Sequence, residues 1–98
     1  KLTSKMKREF NAMNIAFESL PYRLAAEAGK AMEMEMKPLA IGGGTNANVY
    51  NEKGLPAVVI GCGMKDEHTT NEHIYVRDME RSAQLCLTIL AKNHEFAR

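Results

Sequence analysis

Residues 41–61 contain a glycine run followed by an apolar run: Ile41-Gly42-Gly43-Gly44-Thr45-Asn46-Ala47-Asn48-Val49-Tyr50-Asn51-Glu52-Lys53-Gly54-Leu55-Pro56-Ala57-Val58-Val59-Ile60-Gly61. Thr45 is a suitable N-cap for a short helix through Lys53, and Gly54 stands where a helix-ending glycine belongs. The continuous apolar run of residues 55–60, rich in β-branched side chains, is typical of a central strand buried on both faces.

Two helices are predicted ahead of this stretch. Apolar residues recur at spacings of four, four and three from Leu2 to Met13, which indicates an amphipathic helix through about residue 17. Ser19 then reads as an N-cap with Pro21 in the first turn, so a second helix is expected through Met32.

Alternation of apolar and polar residues over 32–36 predicts a short strand, which Pro38 limits. A long final helix is predicted from about Arg77 to Glu95. Its apolar residues are Met79, Ala83, Cys86, Leu87 and Leu90. Helices that alternate with strands predict the α/β fold class, although two or three strands are few for an independent sheet.

Composition narrows the classes of function. The 98 residues suffice for one small domain, and 45% hydrophobic with 26% charged residues is ordinary for a globular protein. A net charge of +1 gives no reason to expect a nucleic acid or an anionic membrane as partner. Cys62 and Cys86 lie in apolar surroundings, so we interpret them as buried free thiols in a reducing compartment.

The glycine run is the first candidate site. Glycines let a backbone approach a ligand closely, and a following helix N-terminus offers N–H groups to a carboxylate or phosphate. The structural alternative is a tight turn with a capping Thr45. Neither of the two standard phosphate-binding fingerprints is present in the sequence.

The polar loop after the apolar run is the second candidate site. It contains His68, which is suited to ligate a metal, although a histidine in such a loop is more often an ordinary surface residue. His68 and His73 are five residues apart, so they are not a helical ligand pair. A nucleophilic pair of Cys62 and His68 is conceivable, but no other residue supports it.

Taken together, residues 41–61 and His68-Thr69-Thr70-Asn71-Glu72 resemble the peptidase-T-like zinc metallopeptidases, relatives of di- and tripeptidases, aminoacylases and carboxypeptidases. They are similar to that family's Gly-Gly-Gly-Ser/Thr-Asp-Ala-Asn…Lys-Gly-Ile/Leu-Pro segment and to its His-Thr-Thr-x-Glu segment. The resemblance covers residues 20–92.

The resemblance implies a partial three-layer α/β/α zinc-peptidase catalytic domain. Residues 19–98 would form the C-terminal part of that domain, and residues 1–18 a remnant helix of its inserted lid domain. In the family two zinc ions activate water and polarise the scissile carbonyl. His68 matches the late histidine ligand of one ion, whereas the other ligands and the catalytic Glu lie upstream and have no counterpart here.

The same resemblance places Gly42, Gly43, Gly44, Thr45 and Asn46 beside the substrate. Asn46 stands where the family has an Asp, so a negative charge is lost from a loop that would face the site. The arginine that often precedes the glycines in tripeptidases is also missing.

The expected function is thus a fragment of a cytoplasmic zinc peptidase of short peptides, inactive without the missing N-terminal part of the catalytic domain. The fragment itself contributes no catalytic residue. Two alternatives stay open: a non-catalytic binding or assembly module, which a homodimer would suit, and an anion-binding glycine-loop domain.

Overall fold

The computed structural model describes residues 1–96, and three helices are its regular elements: α1 (Leu20–Ala31), α2 (Asn46–Glu52) and α3 (Val76–Phe96). Within these residues no β-strand forms, and the one bridge is an isolated antiparallel pair between Lys65 and His73. The predicted α/β class, and with it the partial α/β/α catalytic domain, is therefore wrong for the described chain.

Both predicted strands lie in irregular segments. Residues 32–36 follow directly on the end of α1, and residues 55–60 are exposed or half-buried rather than buried on both faces. A strand is stabilised by its ladder of hydrogen bonds and by cross-strand side chains. An apolar run indicates a preference for burial and not the presence of a pairing strand. In the described residues, neither run has a neighbouring strand with which to form a ladder.

Helix α1 begins and ends close to the predicted residues. Ser19 is the N-cap residue, although its Oγ donates to the Ala16 carbonyl oxygen at 2.7 Å instead of capping the helix. At the other end, Glu33 takes a left-handed conformation (φ 56°). The Met34 amide then donates to the Gly29 carbonyl at 2.8 Å, and the Glu33 amide to Lys30 at 3.0 Å. This pair of bonds is a Schellman motif.

Helix α2 has both predicted ends. The Thr45 Oγ1 accepts from the Ala47 amide at 3.1 Å, and Asn48 completes a capping box. Gly54 takes the left-handed conformation (φ 84°) after the helix, and the Leu55 amide donates to the Tyr50 carbonyl at 2.8 Å. The predicted Thr45 cap and the Gly54 stop are confirmed.

The core lies where α1 packs against α3. Helix α1 contributes small side chains, including Ala25 and Ala28, and α3 contributes Leu85, which is only 2% exposed. The extent of α3 is as predicted, but its buried face is not. Met79, Leu87 and Leu90, three of the residues used to predict the helix, are each more than half exposed.

The N-terminal segment is not helical over residues 1–16, so the predicted helix there is wrong. Leu2 is 96% exposed and Met6 is 97% exposed, so nothing in the described chain covers the apolar face that such a helix would need. The predicted burial of the thiols is also wrong, because Cys62 and Cys86 are both exposed.

The chain is open for its size. Its accessible surface is 8444 Å², whereas about 5,600 Å² is typical of a folded monomer of this mass. The radius of gyration is 16.5 Å, against about 13 Å for a compact domain of this length. Many large hydrophobic side chains are therefore exposed, among them Leu2, Met6 and Leu39. None of the helices in residues 1–96 combines the length and the apolar character needed to cross a bilayer.

Replacing Gly54 with Ala should lower the free energy of unfolding by about 1 kcal/mol, because a Cβ disfavours the left-handed conformation that ends α2. Urea denaturation followed by circular dichroism measures this change. Gly61→Ala is the matched control, since Gly61 has an ordinary φ and an added Cβ would meet no atom within 4 Å. Equal stability of the two variants would contradict the role assigned to Gly54.

Candidate functional site

Residues 42–46, the glycine loop, form an exposed segment that leads into α2. Within residues 1–96, the backbone N–H groups of Gly42, Gly43 and Gly44 donate to no protein acceptor. The donors at the start of α2 are instead used internally, since the Ala47 and Asn48 amides both donate to Thr45 oxygens. The loop glycines, rather than the helix end, are thus the groups that can donate to a ligand.

The three glycines of the loop differ in what surrounds them. A Cβ added to Gly44 would collide with the ring of Phe10, so Gly44 has a packing reason to be glycine. A Cβ added to Gly42 or Gly43 would meet no atom within 4 Å, and neither residue has a positive φ. Nothing in the described chain therefore requires glycine at these two positions.

Residues 65–73, the His68 turn, are closed by backbone hydrogen bonds in both directions between Lys65 and His73, at 2.8 and 3.1 Å. Inside the turn the Thr69 hydroxyl donates to the Asp66 carbonyl at 2.6 Å and accepts from the Asn71 amide at 3.2 Å. These bonds hold the turn together although all of its residues are exposed.

The two histidines of this turn have different surroundings. His73 Nδ1 lies 2.7 Å from the Asn71 carbonyl oxygen and 4.0 Å from the Asp66 carboxylate, and its ring meets Tyr75 edge-on. His68 is exposed, takes a left-handed conformation (φ 65°), and has no hydrogen-bond or ion-pair partner within residues 1–96. His68 is therefore the imidazole available to a ligand.

The predicted site residues are not gathered into one pocket. One shallow cavity of 120 Å³ lies between residues 61–63 and α3, and an apolar groove of 310 Å³ lies between α1 and residues 57–60. Neither is lined by His68 or by the glycine loop. Across residues 1–96, no three His, Cys, Asp or Glu side chains come together as a set that could hold a metal ion. His68 alone does not make a zinc site.

Two asparagines of α2 that the sequence patterns did not single out hold the backbone on either side of this helix. Asn48 is 6% exposed, and its Oδ1 accepts from the Thr45 amide at 2.9 Å. Asn51 is bonded in both directions to the backbone of Ala57, which fixes the chain after α2. The available signal was the Thr-x-x-Asn spacing from residue 45 to residue 48, a variant of the capping box with Asn in place of Glu or Gln.

Comparison with known proteins adds a partial match. No protein-family model matches the chain, and no solved structure matches it. The chain is similar to the uncharacterized protein YqjE of Bacillus subtilis (strain 168), at 29% identity over 68 residues. These residues are 69% of this chain but only 17% of YqjE, so the chain spans a small part of that relative's length.

Replacing His68 with Gly should raise the free energy of unfolding by about 0.5 kcal/mol. Glycine removes the cost of a left-handed backbone in the folded state, and this gain is larger than the loss of stability from the greater conformational entropy of the unfolded chain. Thermal denaturation measures the change. Glu67→Gly in the same turn has no such strain to relieve and should lower stability. If His68→Gly is as destabilising as Glu67→Gly, the histidine is part of what holds the turn together.

Proposed function

We propose that this chain is the C-terminal part of a zinc-dependent, peptidase-T-like peptidase that hydrolyses short peptides. His68 is one metal ligand, and the glycine loop, Gly42 to Asn46, faces the substrate. The remaining ligands and the catalytic Glu come from the missing N-terminal part of the catalytic domain.

The observation that carries this proposal is His68 itself. Its imidazole is exposed and unpartnered within the described residues, and a closed turn holds it in a left-handed conformation. A sparsely populated backbone conformation is retained where the surrounding structure enforces it, and such residues cluster at functional sites. His73, by contrast, is already engaged within the turn.

The glycine loop supports the proposal because contacts within the described chain do not account for its first two glycines. The Gly42 and Gly43 positions have space around them, and their N–H groups have no protein acceptor among residues 1–96. Exposed N–H groups without side chains beside them suit the carbonyl or carboxylate oxygens of a short peptide. The free, exposed thiols of Cys62 and Cys86 suit the cytoplasm as the place of action.

By itself, the purified 98-residue chain should hydrolyse no di- or tripeptide, because a catalytic zinc takes about three protein ligands and the chain offers one. A sensitive fluorogenic assay with added zinc measures this. Hydrolysis that a chelator abolishes would contradict the proposal that essential residues lie elsewhere.

The same test extends to a chimera in which this chain replaces the matched segment of the Bacillus subtilis relative. The chimera should bind zinc and cleave short peptides. His68→Ala should lower activity by more than about 100-fold, the upper cost of losing even an outer-shell partner of a metal. His73→Ala is the matched control and should keep activity. If the chimera is active and His68→Ala leaves its activity unchanged, His68 is not a metal ligand. If the chimera binds no metal and is inactive, the peptidase assignment is wrong.

A second candidate function, an assembly module that forms homodimers, is favoured by the exposed apolar stripe of α3. Val76, Met79, Leu87 and Leu90 recur along one side of the helix and are 53–69% exposed. The accessible surface exceeds that of a compact monomer by roughly 2,900 Å², which is more than the area that one partner buries in a standard interface. The third alternative, an anion site at the Gly42–Thr45 turn, would have to use the N–H groups of the loop, because the Ala47 and Asn48 amides of α2 are already bonded to Thr45.

If the assembly module is correct, the chain should dimerise in a concentration-dependent manner without metal. Sedimentation velocity measures this. The double variant Leu87→Glu, Leu90→Glu should be monomeric, because charges on the stripe resist burial. Leu39→Glu, at a residue 84% exposed outside α3, is the control and should leave dimerisation unchanged. A wild-type chain that stays monomeric at high concentration would exclude this function.

A further inference from the structure

A short segment near the N-terminus lies against the loop and helix that follow the glycines. Residues 10–13, the N-terminal strap, make three contacts with residues 44–52 through their own side chains. The ring of Phe10 covers Gly44. The Asn11 Nδ2 donates to the Glu52 carboxylate at 2.7 Å, and the Met13 sulfur accepts from Asn51 Nδ2 at 3.3 Å. The strap thus spans the whole length of α2.

Asn48 joins the strap to the glycine loop. Its Oδ1 accepts from the Thr45 amide at 2.9 Å, while its Nδ2 donates to the Asn11 carbonyl oxygen at 2.8 Å. A side-chain amide carries an acceptor and a donor on one rigid group, which a carboxylate or an aliphatic side chain does not. Because Asn48 is buried, the loss of either bond leaves a polar group without a partner.

The loop has few other points of attachment. A Cβ added to Gly42 or Gly43 would meet no atom within 4 Å, so no neighbouring group restricts the conformation of these two residues. Consecutive glycines are the most flexible backbone a chain has, and ordering them costs more entropy than ordering other residues. Within residues 1–96 the loop is held at its C-terminal end, by Asn48 at Thr45 and by Phe10 at Gly44.

We propose that Asn48 is the positioning residue of the glycine loop, and that it aligns the loop by fixing Thr45 to the N-terminal strap. That this alignment serves a peptide substrate rests on the function proposed above. A loop fixed at one end presents its N–H groups in fewer arrangements, so less of the binding free energy is lost on ordering it.

Amide hydrogen exchange and nuclear Overhauser effects, measured by NMR on the whole 98-residue chain, test the positioning. In Asn48→Ala the Thr45 amide should exchange roughly tenfold faster, as expected for the loss of its one acceptor. In Asn48→Asp the acceptor remains and the Thr45 amide should stay protected. The donor to Asn11 is lost, so the Overhauser effects between the Phe10 ring and Gly44 should weaken.

Asn46→Ala is the matched control for the exchange measurement, because Asn46 is an exposed asparagine two residues earlier. It should leave both readouts unchanged. If circular dichroism shows that Asn48→Ala does not fold, Asn48→Asp still tests the proposal. It should keep the Thr45 amide protected while the Phe10–Gly44 Overhauser effects weaken, and a general loss of structure would change both. The proposal is overturned if folded Asn48 variants keep wild-type Thr45 exchange and wild-type Phe10–Gly44 effects, or if Asn46→Ala changes both equally.

A titration with trialanine separates this proposal from the proposed function. If the loop faces a peptide, the Gly42 and Gly43 amide signals should shift on titration, and Asn48→Ala should weaken that response. If trialanine moves no signal in the wild-type chain, the substrate role of the loop is lost. The exchange result continues to decide the positioning role of Asn48 on its own.

Discussion

The packing of α1 against α3 forms the core of the described chain. Small residues on α1, among them Ala25, Ala28 and Gly29, let α3 approach closely, and Leu85 of α3 is only 2% exposed. The side chain of Met36 folds back over Gly29, where a Cβ would collide with it. The Ser82 hydroxyl, bonded to the Asp78 carbonyl at 2.8 Å, lies 3.1 Å from the Cys62 carbonyl oxygen. The helix pair thus also fixes the chain that leads into the His68 turn.

Local signals predicted α1, α2 and α3, because their ends depend on a few neighbouring residues, whereas the predicted helix over residues 2–17 did not form. Thr45 and Gly54 bound α2 through hydrogen bonds that lie within a few residues of the helix, so the sequence alone contains them. The strands were wrong because a strand needs a partner far along the chain, and residues 55–60 have none in the described part. A pattern that indicates burial does not indicate what will bury it.

The same distinction applies to the face of α3 and to the site. Met79, Leu87 and Leu90 correctly indicated a helix, but the stripe they form is exposed while Leu85 meets α1. His68 was found by its residue type, whereas its left-handed backbone arises from hydrogen bonds inside the turn that spacing does not show. The hydrogen bond from Asn48 to the Asn11 carbonyl oxygen joins residues 37 positions apart, and nothing in the sequence near either residue predicts it.

The features that the chain does not explain by itself are those with the clearest bearing on function. Gly44 and Gly54 have reasons within the chain, a covering ring and a helix stop, whereas Gly42 and Gly43 have none. His73 is engaged within its turn, whereas His68 is held in a costly conformation without a partner among residues 1–96. Under the function proposed above, the left-handed backbone of His68 and the open Gly42 and Gly43 positions serve contacts with metal and substrate rather than the described fold. The accessible surface of 8444 Å², against about 5,600 Å² for a compact monomer of this mass, is a further feature that the described packing leaves unexplained.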